Sequence, residues 1–177
     1  MPITEIGIGV KLPGFAVSAT WEPNDAERTA AWELLVELVT RTTVTPLAPD
    51  EGILREALTS VYSLFGVTRE VLRRNGPEVA RDKGNGNPSL ATIAAVILNT
   101  VLRPLLSTWH PALTAREAER PVDVGVVQWE RGWALAPELR QALNDVRQVL
   151  RNYIDVLGEA AGTMEFAHAV DPRPSDG

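Results

Sequence analysis

The chain has no cysteine, and its 177 residues include only two histidines, His110 and His168, and two lysines, Lys11 and Lys83. Without thiols there is no disulfide, thiolate zinc site, iron–sulfur cluster or cysteine nucleophile. Two histidines do not build an all-histidine metal site, and no His-x-x-x-His pair, phosphate loop ending in Gly-Lys-Ser/Thr, or Gly-x-Ser-x-Gly elbow occurs. Neither a metal nor a cofactor is therefore expected. Gly7-x-Gly9 lies in an alternating segment with no helix behind it, so it fails the dinucleotide pattern. Positive charge is in the minority: 17 basic against 23 acidic side chains give a net charge of −6, which weighs against a nucleic-acid partner. The N-terminus lacks the basic and long apolar regions of a secretory leader. The most apolar stretch, 90–106, contains Asn99, Thr100 and Arg103 and reads as a buried helix, not a membrane span. A cytoplasmic protein is expected, with no membrane association.

What is present describes a globular chain: 45% hydrophobic and 23% charged. A chain of this size buries about 70% of its unfolded surface and fits one domain, here 1–162, followed by a flexible tail, 163–177. Fifteen of the 17 basic residues are arginine, the mark of a GC-rich, bacterial genome. Ile6, Ile8 and Val10 alternate with small or polar residues, as do Phe15, Val17, Ala19 and Trp21, which predicts a β-hairpin over 3–21 turning at Leu12-Pro13-Gly14. Four helices follow by their apolar spacing, at about 25–42, 50–74, 89–109 and 137–161. Asn24 with Glu27 reads as a capping box and Ser89 as an N-cap. Gly66 marks a kink or a close crossing, and Pro104 a kink in the third helix, which is apolar nearly all round and so the most buried. Residues 122–127 fit a strand, a loop or the entry to a helix equally well. The fold class is mainly α, an N-terminal hairpin followed by an antiparallel four-helix bundle, with a long irregular connection before the last helix.

Four groups of residues stand out. Asn99, Arg103 and His110, at steps of four and seven, share a helix face. An arginine on so apolar a helix needs a partner, and Glu130, Asp123, Glu117, Glu33 and Glu37 are the candidates, with Asn99, Arg103 and Glu130 forming a structural polar cluster. Arg69, Arg73 and Arg74, with Arg81 and Lys83 beyond them, suit anion binding or compensation of a helix dipole. The Gly84-Asn85-Gly86-Asn87 run before a helix N-terminus can also take an anion. Among the five tryptophans, Trp32 reads as core, while Trp21, Trp129 and Trp133 read as interface anchors.

Arg103-Pro-Leu-Leu-Ser-Thr-Trp-His110 resembles the R-x(4–6)-H signature of HEPN ribonucleases. That resemblance implies a dimer that cuts RNA without metal, histidine serving as general acid or base and arginine holding the scissile phosphate. A third reading is a small-molecule sensor using the bundle interior near Asn99 and Arg103. With no catalytic constellation of high specificity, the first expectation is a non-enzymatic adaptor or regulatory protein acting with a protein partner or as a homo-oligomer.

Overall fold

A computed structural model describes residues 6–12, 15–48, 51–84 and 86–170. Strands β1 (Ile6–Leu12) and β2 (Phe15–Trp21) pair antiparallel, Ile6 opposite Trp21 and Leu12 opposite Phe15. The turn at 13–14 and residues 3–5 lie outside the described residues. A lone hairpin is marginal in water, and here its open end is anchored: Ile6 and Trp21 are fully buried. Trp21, expected as an exposed anchor, is instead core.

Helix α1 (Asp25–Val39) opens on the expected capping box, Asn24 Oδ1 accepting from Glu27 N at 2.9 Å and Glu27 Oε2 from Asn24 N at 2.8 Å. It stops at Val39 instead of 42, and a single 3-10 turn follows at Thr42–Val44, where the β-branched run lowers helix propensity. Helix α2 (Leu54–Asn75) starts later than position 50 because its cap is not local. Glu130, 76 residues away, accepts from Leu54 N at 2.9 Å and from Arg55 N at 3.4 Å. The core stripe of α2 is Leu54, Leu58, Val61, Leu64, Thr68 and Val71, with Phe65 and Leu72 half-buried beside it. Gly66 makes no close crossing, since a Cβ there meets nothing within 4 Å.

The third helix is longer than expected, running without a break from Leu90 to Ala118. It comprises α3 (Leu90–Val96), capped by Ser89, a π-helical stretch over Ile97–Leu102, and α4 (Arg103–Ala118). Pro104 and Pro111 remove two donors, yet the helix passes through both. The wider π turns just before Pro104 take up the missing bond and the ring. Side chains support the loosened ladder: Asn99 Nδ2 donates to Ala95 O at 2.9 Å, Thr100 Oγ1 to Val96 O at 2.6 Å and Ser107 Oγ to Arg103 O at 2.8 Å. This helix is long and apolar enough to cross a membrane by composition, but it is not the centre of the fold.

The centre is α6 (Ala136–Ala161), whose predicted stripe Leu139, Leu143, Val146, Leu150, Tyr153 and Leu157 is buried throughout, against β1, α1, α2 and α4. Between them, 122–127 resolves as a turn leading into α5 (Val126–Arg131), not a strand. Residues 163–170, expected to begin a tail, instead fold back as α7 (Met164–Ala167) and a 3-10 turn. Gly158 permits this approach, because a Cβ there would lie 2.6 Å from Ala167 Cβ. Residues 171–177 lie outside the described residues.

The elements converge on the Glu27 carboxylate, which is fully buried. Its Oε1 accepts from Trp21 Nε1 at 3.3 Å and Leu90 N at 2.8 Å, and its Oε2 from Asn24 N at 2.8 Å and Lys83 Nζ at 2.5 Å. Removing one partner from a buried ionic network costs about 3–5 kcal/mol. Urea unfolding of Glu27→Ala is expected to show that loss, far beyond the about 1 kcal/mol of an ordinary cap removal. A loss no larger than an ordinary cap would show that the network is not needed.

Candidate functional site

An open groove of about 400 Å³ runs between α2 and α4. Tyr62, Phe65 and Arg69, at steps of three and four, form the outer stripe of α2 beside its buried one. Arg103, Ser107 and His110 face them from α4 at steps of four and three. Arg103 is exposed and held from two sides. Its Nε and Nη2 both donate to Asn99 Oδ1, at 3.0 and 2.8 Å, and its guanidinium carbon lies 5.5 Å from the Phe65 ring centre. Neither Arg103 nor Arg69 has a carboxylate partner among the described residues. Two cations beside two aromatic rings, Arg103 over that of Phe65, with no acidic residue lining the groove, form a surface suited to anions.

His110 closes one end of the groove. Its ring meets Tyr62 edge-on at 5.9 Å, and its Nδ1 accepts from Arg55 Nη1 at 2.9 Å. Arg55 is fixed by a two-pronged pair with Glu117, Nε to Oε1 at 2.9 Å and Nη2 to Oε2 at 2.7 Å, and by Thr114 Oγ1 at 3.0 Å. With Nδ1 accepting, the ring proton sits on Nε2, which is buried and has no hydrogen-bond partner among the described residues. Desolvation first, and the Arg55 charge second, hold His110 below its ordinary pKa of 6.5, with Glu117 opposing. The ring is therefore neutral at pH 7, with its one lone pair engaged by Arg55. In this arrangement it has no nitrogen ready to take a proton from a substrate.

The chain matches no known family model, no curated protein and no solved structure. The likeness to HEPN ribonucleases thus rests on residues 103–110 alone.

The structure brings Asn99, Arg103 and His110 to one side of the third helix, on its outer surface. The bundle interior near Asn99 and Arg103, invoked for a sensor, is not where these side chains lie. None of the carboxylates considered for Arg103 reaches it. Glu130 caps α2, Glu117 pairs with Arg55, Glu33 with Arg74, Glu37 with Arg41 at 2.7 Å, and Asp123 is exposed. The polar cluster of Asn99, Arg103 and Glu130 therefore loses its third member. The arginine group of α2 divides as well: Arg74 is neutralised by Glu33, Arg73 is exposed, and Arg69 enters the groove. Arg81 pairs with Glu78 and Lys83 with Glu27. The anion site expected after Gly84–Asn87 already holds the Glu27 carboxylate on Leu90 N.

The tryptophans also redistribute. Trp32, expected in the core, is 42% exposed and packs on Phe166 at 5.3 Å. Trp129 and Trp133 are half-buried and occupied internally. Trp129 Nε1 donates to Arg116 O at 2.7 Å beneath the Arg116 guanidinium, and Trp133 meets Trp109 edge-on at 6.1 Å. Among the described residues no group of three His, Asp or Glu side chains is placed to hold a metal. Tyr62 was missed in the sequence and Phe65 reads there as part of the buried stripe of the second helix, although their spacing with Arg69 marks a second stripe on α2.

The His110 environment sets a pH dependence. Because its folded pKa lies below 6.5, the unfolded chain binds more protons between the two values, so this group's contribution is complete above pH 6.5 and is lost as pH falls through the folded value. The fall in urea midpoint below pH 6.5 is expected to be shallower in His110→Gln than in the wild type. Identical slopes would contradict this placement of His110.

Proposed function

We propose that the chain is a cytoplasmic, non-enzymatic interaction protein that docks an acidic segment of a protein partner in the groove between α2 and α4. The observation that supports this is the pairing pattern of the arginines. Arg41, Arg55, Arg74 and Arg81 have carboxylate partners, whereas Arg69 and Arg103 line an exposed groove without one. In a chain of net charge −6, a local cationic strip steers an acidic segment while the remaining surface repels it. Tyr62, 62% exposed, and Phe65 add ring surface, and Tyr and Arg are favoured at binding hot spots. Arg103 is already ordered by Asn99 and Phe65, so docking loses little side-chain entropy there.

A metal-independent ribonuclease is the second reading, favoured by Arg103 and His110 lining one groove. It requires His110 to exchange its Arg55 bond for contact with RNA. The interaction reading instead leaves single-stranded RNA intact.

A fluorescein-labelled oligoglutamate peptide serves as the probe. It is expected to bind the wild type at low salt, to weaken as screening rises, and to bind Arg69→Ala/Arg103→Ala about tenfold or more weakly, given charged hydrogen bonds of roughly 1.5–3 kcal/mol each. The thermal midpoint of that variant is expected to stay unchanged. Equal affinity in wild type and variant would overturn the reading. RNA cleavage abolished by both Arg103→Ala and His110→Ala would replace it with the ribonuclease.

A further inference from the structure

Among the described residues lining the groove between α2 and α4, His110 alone has a side chain that changes charge near neutral pH. Neutral, its Nδ1 accepts from Arg55 Nη1 at 2.9 Å. Protonated, both ring nitrogens can only donate, and a guanidinium can only donate in return. The bond is then replaced by two cations at contact distance, and one of them must move. Arg55 is the more firmly held, by Glu117 through bonds of 2.9 and 2.7 Å and by Thr114 Oγ1 at 3.0 Å. The imidazole has no second anchor, since its Nε2 is buried without a hydrogen-bond partner among the described residues. The ring, not the guanidinium, is the part that yields.

The surrounding groups set its direction. On α2, Arg55 repels an imidazolium, Tyr62 meets the ring at 5.9 Å, and Arg69 lies along the groove. On α4, Glu117 attracts it but is already taken by Arg55. Glu130 of α5 acts on Arg55 and is bound to the Leu54 and Arg55 amides. The open groove is the remaining direction, where water and the Tyr62 ring solvate the charge. Arg103 lies seven residues back on α4, about 10 Å along the helix. That exceeds the roughly 8 Å screening length at physiological salt, so Arg103 opposes the new charge only weakly. It also matches about three residues of extended peptide, so one acidic segment reaches both.

We propose that His110 is a pH switch on this groove: on protonation its ring leaves Arg55, turns into the groove and adds a third positive charge, so an acidic segment binds more tightly in mild acid than at neutral pH. The switch rests on the reading of the groove as the docking place of an acidic segment. In the free chain, burial first and the Arg55 charge second hold the His110 pKa below 6.5, which keeps the groove in its weaker state at pH 7. Linkage makes the effect reciprocal: a bound anion that favours the imidazolium must raise the His110 pKa.

Proton NMR of the full chain reads this directly, the His110 ring signal being assigned by its loss in His110→Gln. The probe is an oligoaspartate peptide, which stays ionised above pH 5. His110 is expected to titrate below pH 6.5 in the free chain and about one unit higher with saturating peptide. Calorimetric affinity is expected to rise severalfold between pH 7.5 and 5.5, one pKa unit setting a ceiling of about tenfold. That rise is expected to be largely lost in His110→Gln. A peptide that binds and is weakened by Arg69→Ala/Arg103→Ala, yet leaves the His110 pKa unchanged, overturns the switch while the docking reading stands. An equal rise in His110→Gln overturns it as well. A peptide that binds at neither pH overturns both.

Discussion

The buried carboxylate of Glu27 is the constraint on which the other contacts depend. A charge taken wholly out of water is tolerable only when its lone pairs are filled. Here four donors fill them, coming from the end of the hairpin, the cap of α1, the loop before the third helix, and the first amide of that helix. One side chain thus sets where four segments meet. The indole of Trp21 can be core because its N–H has Glu27 to donate to. The third helix can begin at Leu90 without solvent on its first amide because Glu27 supplies the acceptor.

Glu130 repeats the device at the opposite connection. It is 2% exposed and caps α2 across the chain, fixing α5 against the helix that carries Tyr62, Phe65 and Arg69. Two acidic residues are thereby turned inward, and Glu33, Glu37, Glu78 and Glu117 are engaged by arginines or by their neighbours at the surface. Arg69 and Arg103 are left facing solvent in the groove. The fold's internal use of carboxylates and its external cationic strip are two sides of one charge distribution.

The periodic elements were legible in the sequence. The hairpin alternation, the Asn24/Glu27 capping box, the Ser89 cap and the α6 stripe each express a local rule, and each holds. What was illegible is non-local. Nothing near Leu54 announces that Glu130 caps it, so the start of α2 was placed too early. Pro104 reads as a kink and the helix as ending near Trp109, yet it runs on through Pro104 and Pro111, the π-helical stretch and side-chain bonds from Asn99, Thr100 and Ser107 supporting the loosened ladder. The exposure of Arg103 was likewise not readable from its apolar neighbours; it stands at the surface, held by Asn99 and Phe65. Trp21 and Trp32 exchanged roles for a similar reason, since exposure depends on which partner arrives from elsewhere. For the site, Arg103 and His110 were visible as a pair, while the facing stripe on α2 needed the packing of two helices to be recognised.

The central claim is that recognition occurs on the strip between α2 and α4, and amide chemical-shift mapping with an acidic peptide tests it most directly. The account predicts shifts concentrated in 62–69 and 103–110, where Arg69 and Arg103 line the groove without carboxylate partners. Shifts centred on 84–92 at the head of the third helix would contradict it, because Glu27 already occupies that position.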